Sequence, residues 1–303
     1  MVEKVQLSKN GPQLSKIVSG VMTWGIWGKD YSPQQMLSLI EQSVDIGITT
    51  FDHADIYGHY TTEETFGEAL KLQPSLRDKI QLVTKCGIKL VTENRPSHKI
   101  KSYDTSAAHI EASVERSLKN LNTDRLELVL VHRPSPLMNA TEIAETFQKL
   151  IAQGKVQHFG VSNFTPSQIN LVNSKIEITT NQIEANLLHL DPFVDGTLDQ
   201  CQQLGIHPMI WSPLGGSAFF TAQENERVQR ISTVAQALVE KHNAQSIDQI
   251  LLAWLLQHPS GPIPVLGTTR IERLQAAAEA QSIALSREEW FELWSASVGE
   301  EVA

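Results

Sequence analysis

Gly47-Ile48-Thr49-Thr50-Phe51-Asp52-His53-Ala54-Asp55-Ile56-Tyr57-Gly58, continuing to Glu63 and Gly67, is where one periodicity gives way to another. Upstream, Ser32 and Gln35 have the spacing of a capping box, and Met36, Leu39, Ile40 and Val44 recur at helical intervals. Gly47 closes that helix, because glycine accepts the left-handed backbone on which helices commonly end. Ile48 to Phe51 are β-branched or aromatic and read as a short buried strand. Asp52 therefore stands at the carboxyl end of a strand, with Tyr57 in the loop beyond it. Taken alone, this pair is equally consistent with a helix-capping aspartate and a packed tyrosine.

The same rhythm extends in both directions. Residues 4–18 alternate about Asn10-Gly11-Pro12, which predicts a hairpin forming a lid on one end of the fold. Ile17–Val21 reads as a first core strand, and Ile80–Lys85, Leu126–His132, Val156–Val161 and Ile178–Ile183 read as later ones. Ile206–Trp211 and Ile263–Leu266 complete a set of eight with Ile48–Phe51. Helical patterns separate nearly all of them, with extra helices near the C-terminus. Eight alternating units predict an α/β fold, a (β/α)8 TIM barrel, formed as one domain over residues 1–303. A doubly wound open sheet is the alternative. It wants a glycine-rich turn after the first strand, and Gly20-Val21-Met22 does not supply G-x-G-x-x-G.

Bulk properties narrow the function. A net charge of −9 argues against a general nucleic-acid binder, and no apolar run approaches the ~18 residues of a membrane span. Cys86 and Cys201 offer neither metal-ligand spacing nor a disulfide framework. The start Met1-Val2-Glu3-Lys4-Val5 lacks the apolar core of a signal peptide. A cytoplasmic protein, a monomer or weak oligomer without membrane or nucleic-acid partners, is the expectation.

A barrel gathers the carboxyl ends of its strands at one mouth, where active sites lie. Asp52, Lys85, His132 and Ser162-Asn163 end strands two to five, strand six carries Gln182, and strand seven runs into Trp211-Ser212. Any one of these has an ordinary structural explanation. Their convergence on one mouth is what predicts a site.

These residues resemble the aldo-keto reductase family over nearly the whole chain. The pattern G-x4-D-x4-Y-G-x4-E-x3-G is met by Gly47, Asp52, Tyr57, Gly58, Glu63 and Gly67. Val131-His132-Arg133-Pro134, Gly160-Val161-Ser162-Asn163-Phe164, Asn181-Gln182-Ile183-Glu184, Trp211-Ser212-Pro213-Leu214-Gly215 and Ile263-Pro264-Val265-Leu266-Gly267 follow in the family's order. The resemblance implies a catalytic tetrad of Asp52, Tyr57, Lys85 and His132, and reduction of aldehydes or ketones with a nicotinamide cofactor. The chemistry agrees. Hydride arriving at a carbonyl carbon leaves charge on oxygen, so a proton donor must stand within hydrogen-bond reach. Tyr57 fills that role if the Lys85 ammonium lowers its pKa, Asp52 holds Lys85, and His132 orients the carbonyl.

By the same resemblance Met22 and Thr23 border the cofactor, and Ser162, Asn163 and Gln182 hold the nicotinamide carboxamide. Trp211 stacks on the ring, in place of the family's commoner tyrosine, and Ser212, Pro213, Leu214 and Gly215 line the pyrophosphate. Gly267, Thr268, Thr269, Arg270 and Arg273 match the segment that reads the adenosine 2′-phosphate. NADPH is therefore expected ahead of NADH, without excluding it, although Ala276 and Ala277 replace polar residues common in relatives. Trp24 and Trp27, with Tyr57 and His132, are expected to form the substrate wall, together with Tyr60 and the loop 88–104. His53 departs from the usual threonine and is expected to pack, to tune Asp52 or to line the cofactor. The competing functions are a cofactor-binding regulatory barrel with little turnover and an aldolase using Lys85 as a Schiff-base amine.

Overall fold

In the computed structural model, which describes residues 2–216, 218–222 and 224–302, the Ser32 hydroxyl accepts from Gln35 N and the Gln35 side chain accepts from Ser32 N. The expected capping box thus starts helix Pro33–Asp45. Gly47 follows it at a φ of +89°.

The strands are β1 (Lys4–Gln6), β2 (Gln13–Ser15), β3 (Val18–Gly20), β4 (Thr50–Asp52), β5 (Gln81–Cys86) and β6 (Ile88–Lys89). They continue as β7 (Ser102–Tyr103), β8 (Leu126–Val131), β9 (Val156–Ser162), β10 (Asn181–Glu184), β11 (Met209–Trp211) and β12 (Ile263–Leu266). The eight strands β3, β4, β5, β8, β9, β10, β11 and β12 close into a barrel in that order, every neighbouring pair parallel. Helices Thr62–Leu72, Ala107–Asn120, Ala140–Ala152, Pro166–Asn173 and Thr197–Leu204 connect successive strands. Glu226–His242 and Ile247–Leu256 precede β12, and Ile271–Glu279 and Arg287–Val298 follow it.

Strand boundaries differ from expectation for local reasons. β11 begins at Met209, not Ile206, because Pro208 has no N–H to give to the ladder. β10 begins at Asn181, although Thr179 N and Thr180 O already bond to β9; only the Ile178 N–H is drawn away, to the Asn173 side chain. β8 stops at Val131, leaving His132 just past the ladder with its N–H on Cys86 O. The loop after β5 is not wholly irregular, because β6 and β7 pair within it.

β1 and β2 form the predicted hairpin. Its Leu7 and Leu14 are fully buried in the barrel interior with Val18, Val83, Leu128, Leu130, Met209 and Ile263. Each such leucine contributes about 1.5–3 kcal/mol by leaving water. The hairpin is fastened by His207 N to Leu7 O and by Ser15 N to the Thr50 hydroxyl, both near strand beginnings. It therefore plugs the amino-terminal end. The opposite mouth stays open, and every barrel strand points its carboxyl end into it.

Candidate active site

β4 delivers Asp52 and β5 delivers Lys85 side by side, in a parallel pair that couples Asp52 with Val83. Both side chains are almost fully buried, and Lys85 Nζ lies 2.6 Å from Asp52 Oδ2. The same ammonium donates to His53 O at 2.8 Å and to the Tyr57 hydroxyl at 3.3 Å. The other carboxylate oxygen of Asp52 accepts from Gln182 Nε2 at 2.8 Å. Both Asp52 oxygens are thus fixed, and the ammonium is aimed at the phenol.

Tyr57 is held by an unusual turn. Gly58, His59 and Tyr60 follow it with φ values of +57°, +56° and +73°. Left-handed backbone costs non-glycine residues roughly 1–2 kcal/mol each, so neighbours must impose it. Here they do: the Tyr60 hydroxyl accepts from Leu90 N and donates to Ile88 O, and Asn94 Nδ2 donates to His59 O. Tyr60 therefore lies beneath the loop 88–104 as an anchor for the turn, while Ile88, Lys101 and Tyr103 of that loop border the cavity.

The electrostatics overturn one expectation. Burial pushes the Tyr57 phenol above its ordinary value; Lys85 pulls it down, but Asp52 offsets that pull. Lys85 thus moderates a phenol that burial would push further up, by its charge first and then by its hydrogen bond. Burial alone would lower Lys85, yet the Asp52 charge and then Tyr57 raise it, keeping the ammonium protonated. Burial, then the charges of Lys85 and Arg133, hold His132 well below the usual histidine value. His132 is a neutral imidazole, T-shaped against the Tyr57 ring at 6.3 Å. His53 packs its ring edge-on to Phe66 at 4.4 Å, and burial followed by the Lys85 charge lowers its pKa to about 3. The His53 ring is thus neutral, packed in the core, and absent from the cavity lining.

A cavity of about 740 Å³ opens above these groups, within the ~300–1,000 Å³ typical of small-molecule sites. Met22, Thr23, Trp27, Asp52, Tyr57, His132, Ser162, Asn163, Gln182 and Trp211 border it. It continues past Ser212, Pro213 and Leu214 to Gly267, Thr268 and Arg273. The polar wall is a connected network. Trp211 Nε1 donates to Asn163 Oδ1, Asn163 Nδ2 to Ser162 Oγ, and Ser162 Oγ to Gln182 O. Gln182 and Asn163 hence orient the site's own groups with the very N–H bonds expected to hold a carboxamide.

Four further expected site residues lie elsewhere. Trp24 is fully buried, 6.0 Å from both Phe51 and Phe66, and belongs to the core between barrel and helices. Gly215 turns inward, where a Cβ would meet the Leu188 side chain at 2.9 Å. Gly216 takes its place on the cavity, and a Cβ there would meet nothing within 4 Å. Arg270 is exposed, 3.9 Å from Glu272, and neither it nor Thr269 borders the cavity. The lining also includes Gly20, Arg133, Asp248 and Leu252, which motif reading did not single out.

A cavity of this volume, with glycines Gly216 and Gly267 and Arg273 in its lining, fits a dinucleotide. Comparison with known proteins points the same way. The Aldo/keto reductase family model matches residues 16–297. Oxidoreductase YdhF of Escherichia coli (strain K12) is 45% identical over 304 residues, covering 100% of each chain. The 6-dehydroglucose reductase of Agrobacterium fabrum is 42% identical, over 96% of this chain and 97% of that one. A crystal structure of an aldo-keto reductase from Klebsiella pneumoniae in complex with NADPH is similar with a TM-score of 0.76 and 27% identity, over 97% of this chain and 94% of that one.

Proposed function

The chain belongs to the aldo/keto reductase family, and we propose that it reduces an aldehyde or ketone to the alcohol with NADPH, with Tyr57 as the proton donor. The observation that carries this reading is Lys85 Nζ, held at once on Asp52 and on the Tyr57 hydroxyl. NADPH, when bound, supplies hydride to the carbonyl carbon. As that C–H bond forms, the carbonyl π-electrons move to oxygen. Tyr57 gives this oxygen its hydroxyl proton, and the phenolate left behind is stabilised by the Lys85 ammonium 3.3 Å away. Neutral His132 orients the carbonyl oxygen as a second hydrogen-bond donor. Trp211, Ser162 and Asn163 would hold the nicotinamide face, Ser212 to Leu214 and Gly216 the pyrophosphate, and Arg273 the 2′-phosphate.

The raised pKa of Lys85 weighs against the aldolase reading, because a protonated, ion-paired amine is no nucleophile. An assembled proton donor weighs against a barrel retained only for binding. Tyr57, Trp27, Ile88, Lys101, Tyr103 and Arg133 make a mixed apolar and cationic mouth. The sugar aldehyde named for the Agrobacterium relative makes hydroxylated aldehydes the first substrates to try. Tyr57→Phe tests the assignment: turnover is expected to fall by about 10²–10⁴ while NADPH affinity stays within about threefold. Near-normal turnover would reject Tyr57 as the acid.

A further inference from the structure

We propose that Asp248 is the positioning residue that makes Arg273 discriminate NADPH from NADH, an inference that rests on the reductase reading above. Arg273 lies in the first turn of helix Ile271–Glu279, and Asp248 in the first turn of helix Ile247–Leu256. Both border the far end of the cavity beside Gly267 and Thr268. Arg273 Nε and Nη2 both donate to Asp248 Oδ2, at 3.2 Å and 2.5 Å. The arginine side chain is 33% exposed and the aspartate 15%.

An unanchored arginine at such a rim samples many rotamers, and closing on a phosphate would have to suppress them. Asp248 does this beforehand. It grips one edge of a planar fork whose geometry suits phosphate oxygens, fixing the plane relative to the cavity. The carboxylate is itself settled by the helix N-terminus, which favours negative charge. NADPH and NADH differ only in the 2′-phosphate, so an anchored guanidinium at this end favours NADPH alone. The pairing also changes what removal of Arg273 means. Arg273→Ala strands a mostly buried carboxylate beside the incoming phosphate, adding repulsion to the lost contact.

The test is calorimetric binding of NADPH, NADH and adenosine 2′,5′-bisphosphate to the unaltered protein, Asp248→Asn, Arg273→Ala and the double variant. Asp248→Asn is expected to weaken NADPH and the bisphosphate about five- to tenfold and to leave NADH within about twofold. Arg273→Ala is expected to weaken NADPH by more than about fiftyfold, with part of that loss recovered in the double variant. Tighter NADPH binding by Asp248→Asn would make the carboxylate a repulsive element and overturn the proposal. Equal losses for NADPH and NADH would overturn it as well, reducing Asp248 to a structural ion pair. Failure of the unaltered protein to bind NADPH overturns the reductase reading and this inference with it. Unchanged discrimination in an NADPH-binding Asp248→Asn protein overturns this inference alone.

Discussion

Asp52→Asn is nearly isosteric and removes one charge from a pair that is almost wholly buried, with side chains 1% and 3% exposed and 2.6 Å apart. Asparagine keeps an acceptor for one partner, so the change isolates the charge. Breaking a buried pair from one side leaves the other ion uncompensated, at a cost of about 3–5 kcal/mol. For a chain of this size that corresponds to a thermal midpoint lower by roughly 5–10 °C. The pH dependence carries the decisive sign. In the unaltered protein Lys85 is raised above its unfolded value, the Asp52 charge and then Tyr57 overcoming burial. Its contribution to stability is therefore complete below the unfolded lysine value near ~10.4 and is lost as pH rises through the higher folded value. In the variant burial acts unopposed, and the folded pKa of Lys85 drops below the unfolded one. The variant should then gain stability as pH rises through that depressed value, and the gap to the unaltered protein should narrow as pH climbs toward the unfolded lysine value near ~10.4. Urea unfolding of the cofactor-free protein over that climb measures both curves. A gap that is constant with pH, or smaller than about 1 kcal/mol, would refute the picture of a dry Lys85–Asp52 pair.

The other predictions concern features around the site. Burial, then the Glu63 charge, raises Asp55 to about 8. Its favourable contribution is thus full below the unfolded carboxylate value near ~3.9 and is lost as pH rises through the folded one, so Asp55→Asn should flatten the decline in stability between about pH 4 and about pH 8. Parallel declines in chemical denaturation would show that Asp55 is not protonated in the fold. Gly67 sits where an added Cβ would lie 1.9 Å from the Asn120 carbonyl oxygen. Gly67→Ala should therefore push helix Thr62–Leu72 from Ala107–Asn120 and cost about 1–3 kcal/mol, read as a lower denaturation midpoint; an unchanged midpoint would mean the contact yields freely.

The barrel was legible because its signals are periodic and repeated. Hydrophobic alternation, capping residues and turn glycines recur along the chain, so an error of three residues at Ile178 or Ile206 shifts a boundary without altering the topology. Parallel closure then carries Asp52, Lys85, His132, Ser162 and Gln182 to one mouth whatever the detail of each loop. Trp24 was misread because an aromatic just past the first strand has two faces to choose from. Phe51 and Phe66 decide the matter only after helix Thr62–Leu72 has packed.

Partnerships between distant residues are the part that a motif cannot display. Gln182 reaches Asp52 across 130 positions, and Asp248 takes Arg273 across 25. In both cases the motif names a group that would touch a ligand, whereas the fold first engages that group with another side chain. The consequence is physical. A site whose amides and guanidinium are bound before any ligand arrives has already lost much of the side-chain freedom that binding would otherwise have to remove. The same logic explains Tyr57. Its acidity is not enhanced in the cofactor-free barrel, because burial outweighs the pull of the Lys85 charge, which Asp52 partly offsets. In the proposed mechanism the four residues would contribute position: a phenol on a backbone turn held left-handed by Tyr60 and Asn94, with an ammonium already at hydrogen-bond distance from the phenol oxygen.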